Sequence, residues 1–144
     1  MATDWGAVLV SGIDFSGGLQ NNTANPNYIS APVKGNGLLN KSNGLHSIQI
    51  QTTNFTGNIQ IEATLDKNAN TAVWIPVNLT DTESGAVSKS LAFSIPQAVP
   101  GNYYSGSITT QINKFYSIVG QYAWIRANVS VISGGILQSI KLAF

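Results

Sequence analysis

Apolar and polar residues alternate through this chain from Leu45 to Phe144, and that alternation limits its fold more than any other feature. Ile48 and Ile50 stand between Ser47, Gln49 and Gln51. Ile59, Ile61, Ala63 and Leu65 stand between Gln60, Glu62 and Thr64. The sets Val73/Ile75/Val77/Leu79 and Ala123/Ile125/Ala127/Val129/Val131 repeat the pattern. Successive side chains of a strand point to opposite faces, so each set is assigned to a core and its neighbours to water. One dry face and one wet face is the pattern of an antiparallel sheet packed on one side. No segment repeats at the helical period. The chain is expected to be all-β: an antiparallel β-sandwich over 45–144, with an irregular Gly/Asn-rich N-terminal arm over 1–44.

Strands are predicted near 45–53, 58–66, 72–79, 87–95, 107–119, 121–133 and 136–144. Residues 54–58, Asn-Phe-Thr-Gly-Asn, are read as the connection between the first two, and Asp66–Thr71 as a polar hairpin loop. Ser133-Gly134-Gly135 is read as a tight turn that pairs 122–132 with 136–144. Pro76 has no N–H to give a ladder, which places its strand at an edge or a bulge. Ile136, Ile140, Leu142 and Phe144 are assigned one face together with Gln138, so the last strand is expected inside the sheet.

Residues 1–44 read differently. Gly12, Gly17, Gly18, Gly35, Gly37 and Gly44 mix with Asn21, Asn22, Asn25, Asn27, Asn36, Asn40 and Asn43, and Pro26 and Pro32 interrupt any ladder. Two readings stand: an extended arm with one or two short strands, or a loop-rich first third of the same domain.

The wet face is wet in an unusual way. Charged residues are 9% of the 144, against roughly 25% in an average soluble domain, and Ser, Thr, Asn and Gln take their place. Low charge weakens the repulsion that keeps monomers apart, so such a surface suits an assembly that covers much of it. The net charge is +1, and the seven cations (Lys34, Lys41, Lys67, Lys89, Lys114, Arg126 and Lys141) are scattered singly. Binding that neutralises many phosphates needs clustered cations, so no nucleic-acid partner is expected. The absence of cysteine excludes disulfides and thiolate metal sites. Met1–Trp5 has no cationic leader, Ala7–Val10 is short for a signal segment, and nothing reaches membrane-spanning length. No membrane partner is expected, and synthesis in a cytoplasm is.

Groups for chemistry are scarce. The carboxylates are Asp4, Asp14, Glu62, Asp66, Asp81 and Glu83. Glycosidic chemistry needs two facing each other across a cleft, whereas Glu62 falls on an outward position and Asp66, Asp81 and Glu83 on turns. His46 is the sole histidine, so no histidine metal triad can form; it is read as a strand-end residue with a local hydrogen bond. The Gly-rich stretch at Ser16-Gly17-Gly18 lacks the Lys-Ser/Thr ending of a phosphate loop. Asp66-Lys67-Asn68-Ala69-Asn70 begins like a calcium loop but lacks its later Gly and Glu, and reads as a hairpin loop. The chain is therefore expected not to be an enzyme, with no catalytic residue, metal or cofactor.

Aromatic residues are the remaining candidates. Trp74 and Trp124 fall on outward parity, and Tyr122 and Arg126 on Trp124's face. This stripe fits a stacking platform for a glycan, a protein interface in which Trp, Tyr and Arg are enriched, or a face covered by residues 1–44. Trp5, Tyr103 and Tyr104 join it as candidate interface residues.

Three stretches carry a family resemblance. They are Phe55-Thr56-Gly57-Asn58-Ile59-Gln60-Ile61-Glu62-Ala63-Thr64-Leu65-Asp66, then Trp74-Ile75-Pro76-Val77, then Gln121-Tyr122-Ala123-Trp124-Ile125-Arg126-Ala127 before a Gly-turn. Over about 45–144 the chain resembles structural virion proteins of tailed bacteriophages. The resemblance implies a jelly-roll-like or sandwich module: a capsid decoration (cement) protein, or a neck, tail, baseplate or fibre component. Its implied partners are copies of itself and other virion proteins, and its implied place is the virion. A carbohydrate-binding sandwich is the rival reading, with a glycan as partner.

Overall fold

The alternating segments are strands. The computed structural model describes residues 6–15, 28–39, 44–93 and 111–144. Every regular element among them is a strand: β1 (Gly6–Asp14), β2 (Tyr28–Ile29), β3 (Val33–Lys34), β4 (Leu45–Thr64), β5 (Ile75–Pro76), β6 (Leu79–Asp81), β7 (Val87–Ser88), β8 (Leu91–Phe93), β9 (Gln111–Val119) and β10 (Trp124–Ala143). All pairings among these strands are antiparallel. The main order is β1-β10-β4-β9-β6-β7, with β2 and β3 also on β10, and β5 and β8 also on β4.

Two strands of twenty residues, β4 and β10, carry the architecture. In β4 the buried parity is even at His46, Ile48, Ile50 and Thr52, then odd at Phe55, Ile59, Ile61 and Ala63. Because a strand's side-chain period is two, a change of phase turns the chain over relative to its core. The change falls at Asn54, whose φ of 51° is left-handed. The partner bends beside it: in β10, Val131 has φ 52° and Gly135 φ 90°, with register shifts between Ser130 and Ile136. A Cβ on Gly135 would lie 2.0 Å from the Asn54 carbonyl oxygen, so this close approach admits only glycine. The sheet thus doubles over. One layer holds 45–53 of β4 and 136–143 of β10 with β1, β9, β6 and β7. The other holds 55–64 and 124–130 with β2, β3, β5 and β8.

A single apolar cluster fills the space between. Ile48, Ile50, Ile140 and Leu142 enter it from one layer, Ile59, Ile61, Ile125, Ala127 and Val129 from the other. Each fully buried Ile or Leu contributes about 1.5–3 kcal/mol. Phe15, Phe55, Tyr28 and Phe93 close the corner, with Phe55 6.0 Å from both Phe15 and Phe93.

Several expectations are corrected here. Residues 133–135 do not turn a hairpin: the segments on either side belong to one strand, and both pair with β4. Residues 54–58 likewise lie inside β4 as its bend. Gln138 is an extra residue between Leu137 and Ser139, a bulge that puts Leu137 in the core with Ile140 and Leu142 and leaves Ile136 half-buried. Val73 and Ile75, expected inside, are 71% and 61% exposed, and Leu65 and Val131 are exposed as well. Pro76 does lie in a two-residue strand, at the side of β4. Of residues 1–44, the described parts enter the sheet: β1 pairs along 136–143, and β2 and β3 pair with Val129–Trp124. They are strands of the sandwich itself.

Candidate interaction surface

Strand register brings three of the expected residues together on the outer face of the second layer. Trp124 lies opposite Thr64, and Arg126 lies opposite Glu62. The Arg126 Nε–H donates to Glu62 Oε1 at 2.7 Å, and the Asn128 amide donates to Glu62 Oε2 at 3.3 Å. Above this pair the Trp74 ring stacks on Arg126, 4.3 Å from centroid to guanidinium carbon. Sequence reading treated Glu62 as a solvated carboxylate; it is buried, because Arg126 and Asn128 occupy both its oxygens.

The loop between β4 and β5 is fastened over this face at both ends. The Trp124 indole N–H donates to the Lys67 carbonyl at 2.9 Å. Asp66 Oδ2 accepts the Val73 N–H at 3.0 Å and the Thr64 hydroxyl at 3.2 Å. Asn68 Oδ1 accepts the Asn70 N–H. The oxygens of the calcium-like segment are thus used to shape its own loop. Among the described residues no three His, Cys, Asp or Glu side chains are grouped to hold a metal. This loop reaches over the Trp–Arg stripe.

Tyr122 does not belong to that face. It turns to the core, stacks on His46 at 6.3 Å and donates its hydroxyl to the Val119 carbonyl. His46 itself is fully buried, and its Nε2 accepts the Asn36 N–H at 3.1 Å. Burial pushes its imidazole below the ordinary 6.5, an effect partly offset by the Ile118 backbone. Trp5, Tyr103 and Tyr104 lie outside the described residues.

An open groove of about 350 Å³ lies beside Tyr122, lined by Ala63, Leu65, Ile75, Val77 and Lys89. It marks the sandwich end away from the bend. Leu45 and Val119 face each other across strands at the same end. Leu45 and Val119 are exposed there, Val119 by 76%, and Leu65, Val73 and Ile75 are exposed around the β4–β5 loop. Periodicity alone concealed this exposure, because alternation names a face and not whether anything covers it.

No protein-family model matches the chain, and no curated protein matches it in sequence. The fold is similar to the crystal structure of SPBc2 prophage-derived protein YomS, with a TM-score of 0.56 over 95% of this chain and 88% of that one, at 6% sequence identity.

Proposed function

We propose that this chain is a non-enzymatic structural protein of a bacteriophage virion, with capsid decoration ahead of a tail, neck, baseplate or fibre role. The observation that carries the reading is the shared fold with a prophage-derived protein over nearly the whole of both chains. Two further features support it. Only 9% of residues are charged, and two apolar groups are exposed, Leu45 with Val119 and, around the β4–β5 loop, Leu65 with Val73 and Ile75. Clustered exposed apolar side chains mark surfaces that a partner covers, and copies of the chain or neighbouring virion proteins are the partners this reading names. The glycan alternative loses its clearest candidate, since Trp74 and Arg126 stack on each other beneath the chain's own loop.

The test is mass spectrometry of purified phage particles from a host carrying this gene, with light scattering of the purified protein. The chain is expected in the particles at a copy number matched to a capsid lattice. Substituting Leu65→Asp and Val119→Asp together is expected to leave the fold intact and reduce incorporation. Absence from the particles overturns the proposal; a copy number of a few per particle moves the assignment to tail, neck or fibre.

A further inference from the structure

The region around His46 joins the two layers at the end away from the bend. Asn36 and His46 are both fully buried. Besides the N–H it gives to His46 Nε2, Asn36 donates its side-chain amide to the Leu45 carbonyl at 3.1 Å. The turn continues with Gly35 N–H to Ala123 O, Gly37 N–H to Tyr122 O, and Leu38 and Leu39 N–H to Gly35 O. Apart from Asn36 its side chains bury little: Leu38 and Leu39 are only half-buried. The adjoining strands β2 and β3 are two residues each. Hydrogen bonds therefore hold this turn more than packing does, which is the condition for opening locally while the core stays closed.

An imidazole nitrogen accepts an N–H only while it carries no proton; the imidazolium is a donor at both nitrogens. A proton on His46 Nε2 would face the Asn36 N–H donor to donor. We propose that the 35–39 turn is an acid-released latch, freed when protonation of His46 breaks its hydrogen bond from Asn36 while both sheet layers remain folded.

Burial favours the neutral form of His46, and the Ile118 backbone works against it. Tyr122 stacks on it and the Phe144 ring meets it edge-on at 5.7 Å. The titratable or charged side chains on the segments packed against it include the Tyr122 phenol, bonded to Val119, Tyr116 and Lys114 on β9, Lys141 on β10, and Lys34 two residues before Asn36. The described carboxylate side chains are elsewhere. Asp14 is opposite Ile136 near the bend, Glu62 and Asp66 lie on the outer face, and Asp81 and Glu83 are in the turn beside Lys114. Burial lowers the imidazole's proton affinity in the fold. Unfolding or opening therefore takes up a proton: the latch is fully held above about 6.5 and weakens as pH falls below it.

The experiment is NMR of the isotope-labelled full chain from pH 7.5 to 5, where one histidine makes the ring signal unambiguous. The ring is expected to titrate below 6.5. After correction for intrinsic exchange, the Asn36, Gly37, Leu38 and Leu39 amides should be indifferent to pH above 6.5 and open progressively more below it, by up to about tenfold per pH unit, with the Ile50 and Ile61 amides unchanged. His46→Gln keeps an acceptor oxygen without a proton to gain, and should hold the turn closed at pH 5. A ring that titrates at or above 6.5, turn amides indifferent to pH, or core amides that open in step with the turn each overturn the proposal. These wild-type readings decide it even where His46→Gln does not fold.

Discussion

Arg126 is held between Trp74 and Glu62: its guanidinium lies 4.3 Å from the Trp74 ring centre, and its Nε meets Glu62 at 2.7 Å. The arrangement fastens together a stripe that fitted a glycan platform, a protein interface or a covered face. With the Arg126 and Glu62 side chains 22% and 10% exposed, removing Arg126 leaves a mostly buried carboxylate without its cation. Arg126→Ala is expected to cost about 2–4 kcal/mol, near the lower range for breaking a buried pair. Glu62→Gln keeps an acceptor and leaves no buried anion, so it should cost less. Trp74→Ala should cost about 1–2 kcal/mol through the lost cation–π contact and packing. Urea denaturation of the three variants checks the order; a costlier Glu62→Gln than Arg126→Ala would contradict this account.

The bend offers a sharper contrast. Val131 is β-branched, left-handed and 69% exposed, so its side chain loses little packing if replaced. Val131→Asn, which tolerates that conformation, is expected to raise stability by about 1 kcal/mol. Gly135→Ala should do the reverse by 3 kcal/mol or more, on the order of the largest single-site effects, because its Cβ meets the Asn54 carbonyl. Thermal melts of both variants test the pair, and a neutral Gly135→Ala would mean that the corner relaxes freely.

Why the bend escaped sequence reading follows from the same residues. The phase change is written in the chain, since Ile48 and Ile50 are even and Ile59 and Ile61 odd. Yet Asn54 and Gly135 suit a hairpin turn as well as a bent strand, because both need left-handed backbone. Only the partner distinguishes them: here each half of β10 pairs with β4 and not with the other half. The long strands and most core positions were legible for a local reason, period two, whereas the expected strands 72–79 and 87–95 are broken into pieces of two or three residues. Trp74, Trp124 and Arg126 were legible as one face, whereas Glu62's burial depended on a loop with no periodicity to read. Val73 and Ile75 looked internal by alternation, but they lie at the side of the sandwich, where no second layer covers them.

The last segment of β10 is the next point of attack. Residues 136–143 lie between β1 and β4, and Leu137, Ile140 and Leu142 are fully buried. Deleting 136–144 removes three core side chains worth about 1.5–3 kcal/mol each and the ladder partner of β1. Their sum is comparable to the whole stability of an ordinary domain, about 5–15 kcal/mol. The truncated chain is expected to show no cooperative melt by circular dichroism; a sharp transition would mean that β10 closes the sheet without its second half.

Acid should loosen the opposite edge of the same layer. Asp81 on β6 accepts the Lys114 ammonium from β9 at 2.8 Å and, through its other oxygen, the Glu83 and Ser84 N–H groups. The Lys114 hydrogen bond chiefly, then these backbone donors, bring its carboxyl down to about 2 from an ordinary 3.8. The folded chain thus holds Asp81 charged at a pH where the unfolded chain has already bound a proton. Its contribution to stability is complete above about 3.8 and is lost as pH falls from there toward 2. In Asp81→Asn the shape and an acceptor oxygen remain but nothing titrates. Urea midpoints of the wild type and Asp81→Asn should differ at pH 5, draw together at pH 3, and nearly coincide at pH 2. A gap that stays constant across this range would show that Asp81 acts on the β6–β9 edge through its shape rather than its charge.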